Sequence, residues 1–119
     1  MIYGKILGIE TSCDETGASI VESNGQTLRV VSNALSTSIK LHVKTGGIIP
    51  ESAAREQLKY IIPVLKEALQ TTKITNPAKQ IDAIAVTVGP GLIGSLHVGL
   101  ETAKTMSNIR KIPIIPVKQ

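Results

Sequence analysis

Short apolar blocks separated by polar punctuation run along the whole chain, and their period changes after the first third. Residues 5–10 read as a largely buried strand, ended by the polar turn Thr11, Ser12, Cys13, Asp14 and Glu15. Residues 17–22 carry a second strand pattern. The Asn24-Gly25 pair behind it is typical of a tight hairpin, and residues 28–35 supply a third strand. The opening is therefore a three-strand antiparallel meander. Residues 36–49 are polar, end in Gly46-Gly47 and mark a loop.

From Pro50 the period becomes helical. Ala54, Leu58, Ile61, Leu65 and Leu69 recur at three- and four-residue spacing, and Glu51 suits the positive end of the helix dipole. Pro63 lies inside that run and is expected to kink the helix or split it, while Asn76-Pro77 closes the segment. Residues 84–88 form a fourth, buried strand, followed by a glycine-rich loop. A second helix spans about 95–107, and residues 112–117 form a fifth strand. The order β-β-β-α-β-α-β predicts an α/β fold with a mixed sheet. It matches the ribonuclease H-like architecture, which is also the N-terminal lobe of the actin-like ATPase fold.

At 119 residues the chain has room for one domain and one core. No apolar stretch reaches the roughly 20 residues of a membrane span, and residues 1–5 have no signal-peptide pattern, so no membrane partner is expected. The net charge of +4 comes from scattered bases, with only Arg110-Lys111 adjacent, which reads as a solvated surface rather than a nucleic-acid footprint. Phe and Trp are missing and Tyr3 and Tyr60 are the only rings, so a stacking platform for single-stranded bases is excluded. The single cysteine, Cys13, excludes an internal disulfide and fits a reducing compartment.

Three segments could carry chemistry. Glu10, Asp14 and Glu15 are three of the nine acids and surround the hydroxyls of Thr11 and Ser12. Such a turn can aim backbone N–H groups at a phosphate while its carboxylates hold a cation or position a nucleophile; it can also be an ordinary acidic hairpin turn. Gly89, Gly91 and Gly94 spell G-x-G-x-x-G between a strand and a helix. The strand is the fourth rather than the first and no acid follows Glu101, which argues against a dinucleotide site. A phosphate-facing loop and a plain tight turn both stay open. Glu51 and Arg55, four residues apart, form either a surface ion pair or part of a cleft, and the spacing favours the ion pair. His42 and His97 have no partner at ligand spacing, so no metal is assigned. Cys13 stands among carboxylates, which suit a small packing residue better than a nucleophile.

Residues 8–16, residues 46–51 with Ala54-Arg55, and residues 88–96 with Val98-Gly99-Leu100 and Ala103-Lys104 closely resemble three blocks of one family, in family order. That family is the threonylcarbamoyladenosine tRNA synthases, formerly called O-sialoglycoprotein endopeptidases. The resemblance implies a cytoplasmic acyltransferase of the actin-like ATPase superfamily. Such an enzyme moves a threonylcarbamoyl group from threonylcarbamoyl-adenylate to N6 of an adenosine beside the tRNA anticodon, with small partner subunits. It implies Asp14 and Glu15 as the catalytic acids, and Glu10, Thr11, Ser12, Glu51, Arg55, Gly89, Gly91 and Gly94 around the nucleotide and substrate.

Some positions depart from the family pattern. Gln57 stands in place of a histidine often found after the Arg55 position, and His97 in place of an aliphatic residue. The family's His-x-x-x-His motif, which binds iron or zinc, would begin at Gln119, and a second lobe with most of the adenylate pocket would follow. The expectation is thus a single N-terminal lobe over 1–119 with the second lobe absent, no cofactor bound by this chain alone, and no activity in isolation. The alternative is a non-catalytic one-lobe paralogue that pairs with the full-length synthase. A metalloprotease would need a zinc-binding pair, which is not encoded here, and a kinase or ATPase would need the second lobe.

Overall fold

The computed structural model describes residues 3–12, 15–37 and 50–118. The first three strands are β1 (Tyr3–Glu10), β2 (Glu15–Asn24) and β3 (Leu28–Thr37), paired antiparallel as the meander pattern predicts. The Asn-Gly turn works as expected. Gly25 takes φ +93, and Asn24 Oδ1 accepts from the amides of Gln26 at 2.9 Å and Thr27 at 2.8 Å.

Helix α1 (Pro50–Thr71) runs through Pro63 without being split. A proline removes one helical donor and crowds the carbonyl four residues back. Here Pro63 and Lys59 are both exposed, so the displaced carbonyl lies on the side where water can satisfy it. The pattern also misses the one-turn helix α2 (Pro77–Gln80). Pro77 begins this turn rather than ending the previous segment, and Gln80 Oε1 accepts from the Thr75 and Asn76 amides at 2.9 and 2.8 Å. Strand β4 (Ala83–Gly89), helix α3 (Ile93–Arg110) and strand β5 (Ile114–Lys118) complete the described chain. Ile112 lies before β5 rather than in it. It is buried in the connection that leaves α3 through Lys111, a left-handed residue at φ 58 and ψ 43.

The sheet order is β3-β2-β1-β4-β5, with β1–β4 and β4–β5 parallel. Strand alternation sends Leu7, Ile9, Ala18, Ile20, Ile84 and Val86 into the core, where each is at most 2% exposed. Burying each large apolar side chain contributes about 1.5–3 kcal/mol. Helix α1 packs on β2 and β3, α3 packs on β4 and β1, and the two helices touch. Ser32 Oγ donates to Ala68 O at 2.9 Å and pins β3 to α1.

The buried face of α1 is rotated from the expected stripe. Ile61 and Leu65 are buried as predicted, but Leu58 is 63% exposed, and Gln57, Val64 and Ala68 are buried instead. Leu58 and Ile62 face an open apolar groove of about 650 Å³ between α1 and α3. On the other side of the sheet, Gly8, Ser19, Ala85 and Val117 line a shallow hollow to which no described helix residue contributes.

Candidate functional site

Strands β1 and β4 lie side by side and parallel. The chain leaves β1 toward β2 on one side and β4 toward β5, through α3, on the other. Their C-terminal ends therefore flank a switch point, where open α/β sheets form a crevice for ligands. Glu10 ends β1 there, and its carboxylate bridges the gap. Oε1 accepts from the Ser12 amide at 2.6 Å, and Oε2 accepts from Thr87 Oγ1 on β4 at 2.6 Å.

Thr11 holds the turn to α3. Its hydroxyl donates to Ser95 O at 2.6 Å and accepts from the Gly99 amide at 3.0 Å. In a regular helix Ser95 O and Gly99 N–H are partners of each other, so Thr11 inserts itself into the helical ladder. Glycine at 99 makes the insertion possible, because a Cβ there would meet Thr11 Oγ1. The next residue is held too: Ser12 O accepts from the Leu92 amide at 2.8 Å, at the start of α3. Gly91 lies against this contact, and a Cβ on it would collide with the carbonyl oxygen of Ser12 and approach its Cβ to 2.8 Å. Two of the sequence blocks thus meet backbone to backbone.

Helix α1 reaches the same turn through Gln57, which is 1% exposed. Its Nε2 donates to Thr11 O at 3.2 Å and to Glu15 O at 2.9 Å. Glu15 is exposed and, with Glu10, Asn33 and Thr87, lines the hollow of about 360 Å³ on the helix-free face.

The structure brings Glu10, Thr11, Ser12, Glu15 and Gly91 into one assembly. Gly89 ends β4 beside them and pairs with Lys118 of β5. Gly94 lines the α1–α3 groove instead, and Arg55 is an exposed residue of α1. Asp14, Cys13, His42 and the side chain of Glu51 lie outside the described residues. The helix groove is larger than the hollow that holds the acids. Sequence reading assigned no site role to Thr87, Ser95 or Leu92, and noted Gln57 only as a departure from the family pattern. Gln57 left one signal: it is a polar residue four before Ile61, on the buried face.

The family model for tRNA N6-adenosine threonylcarbamoyltransferase matches residues 29–119. A relative of that name from Persephonella marina is 52% identical over 113 residues, covering 95% of this chain and 31% of its own length. Another, from Symbiobacterium thermophilum, is 49% identical over 114 residues, covering 96% and 32%. The chain thus spans about a third of the length of the curated relatives it matches. Among solved structures, YeaZ from Pseudomonas aeruginosa superposes with a TM-score of 0.67 at 15% identity, over 97% of this chain and 43% of that one. Thermus thermophilus RuvC gives 0.59 at 15% identity, over 96% and 63%. These likenesses concern the fold, which is ribonuclease H-like, as the element order predicts.

Proposed function

Because the chain belongs to the tRNA N6-adenosine threonylcarbamoyltransferase family, we propose that its β1–β2 turn serves the acyl-transfer centre of the longer proteins of that family. The observation that carries this reading is the position of Glu15. It lines the crevice with Glu10 and Thr87, beside a turn that the Ser12 carbonyl locks to the start of α3. The same relatives favour a transferase over a non-catalytic one-lobe partner.

In the proposed reaction the N6 amine of a tRNA adenosine attacks the carbamoyl carbon of threonylcarbamoyl-adenylate. A C–N bond forms, the C–O bond to the phosphate breaks, AMP leaves, and the amine gives up one proton. The Glu15 carboxylate, with Asp14 next to it in the chain, orients the acceptor amine and balances the charge that develops on it. Amides at the start of α3, after Gly89 and Gly91, favour the phosphate. Glu10 and Thr11 act by holding the turn. Among the described residues no three His, Cys, Asp or Glu side chains converge to hold a metal ion, so no step is derived through one. Small partner subunits and a cytoplasmic setting belong to the same proposal.

The test is a graft. Residues 1–119 replace the matching segment of the Persephonella marina relative, in cells lacking the transferase, and threonylcarbamoyladenosine is measured by nucleoside mass spectrometry. The graft should restore the modification, Glu15→Gln should lower it at least tenfold, and the 119-residue chain alone should not restore it. A folded but inactive graft overturns the reading.

A further inference from the structure

Gln57 is buried, polar and unused by the chemistry above, and its two donor hydrogens come from a single nitrogen. That nitrogen reaches Thr11 O at 3.2 Å and Glu15 O at 2.9 Å, the carbonyls at either end of the β1–β2 turn. Two backbone carbonyls in a dry site call for two donors without a net charge. A primary amide supplies both from one atom; a carboxylate of the same size would repel both oxygens, and an ammonium would carry an unpaired charge inward.

We propose that Gln57 is the positioning residue of the candidate site: it fixes the separation of Thr11 and Glu15, and with it the direction in which Glu15 faces the crevice. The relevance to acyl transfer rests on the function proposed above; the hold on the turn does not. Thr11 secures the same turn from α3 and Glu10 secures it from β4, so losing Gln57 frees one corner rather than the fold.

Amide hydrogen exchange by NMR on the 119-residue chain reads this directly. Gln57→Met keeps the length of the side chain and removes both donors. The amides of Ser12, Thr16 and Gly17 should exchange at least tenfold faster, while those of Ile84 and Val86 in β4 stay within twofold of the parent. Gln57→His, which keeps an N–H donor, should recover part of the protection and covers the case in which the methionine variant folds poorly. Equal acceleration of every amide, or unchanged exchange at Ser12, would overturn the proposal. In the grafted enzyme Gln57→Met should lower kcat at least tenfold with the KM for tRNA within threefold; a change confined to KM would count against positioning. If the unsubstituted graft is inactive, the transferase reading fails and the exchange result still decides the role of Gln57.

Discussion

At Gly91 the backbone of the glycine loop comes so close to Ser12 that no side chain fits between them. Gly91→Ala must push the turn away from α3. We expect it to cost about 1–3 kcal/mol, measured by urea denaturation, and to lose the Leu92-to-Ser12 hydrogen bond. Ser95, in the first turn of α3, gives the opposite expectation. Its side chain is fully buried and Oγ has no hydrogen-bond partner among the described residues, while its carbonyl serves Thr11. Removing an unsatisfied buried hydroxyl relieves a desolvation cost, so Ser95→Ala should be neutral or stabilising by up to about 1 kcal/mol. A loss larger than that would show the hydroxyl has a partner. Thr11→Val keeps the shape and removes both bonds, and should cost about 2–3 kcal/mol. Two of the three blocks named from the sequence, residues 8–16 and 88–96, meet in the assembly around Ser12 and Gly91. That Thr11 would enter a helical ladder was not legible, because its partners are 84 and 88 positions away and no local pattern encodes them.

Among the elements, strands were easier to read than helix ends. Residues 5–10 and 84–88 read as buried strands, and Leu7, Ile9, Ile84 and Val86 are indeed buried there, since a strand has only two faces to turn inward. Helix α1 has a continuous range of possible faces, and its true one differs from the expected stripe by about one residue. The groove beside α3 leaves Leu58 and Ile62 open, and tertiary context decides this, not periodicity. The end of α3 was misjudged for a related reason. The helix runs to Arg110 and stops on Lys111 in the left-handed region, a geometry that glycine signals and lysine conceals. Lys111→Gly should relieve that conformation and raise stability by about 0.5–1 kcal/mol. Thermal unfolding checks this, and a lower Tm would show that the lysine side chain contributes more than the backbone loses.

For the molecule as a whole, several large apolar side chains among the described residues lie open to water. Leu58, Ile62 and Ile109 lie open along the groove on the helix side, and Leu28, Val30 and Leu35 lie open on β3. Contiguous patches of this kind promote association. The 119-residue chain should bind a hydrophobic dye and self-associate as its concentration rises, and Leu58→Lys with Ile109→Lys should reduce both. A monomer by light scattering at high concentration would contradict this. Overall topology was legible, because the order of elements leaves few ways to pair the strands. What covers an open face was not, because side chains that meet a second layer look like any buried strand.

The hold on the β1–β2 turn also sets an order of events. The turn joins neighbouring strands and could close within microseconds of its own accord. Its final shape, however, waits for Gln57, Ser95 and Gly99, which lie 42 to 88 residues further along. Contacts of such sequence separation form late. A hairpin cut from the start of the chain would carry the acids without their alignment. On the ribosome the acidic turn would remain unset until α3 had emerged.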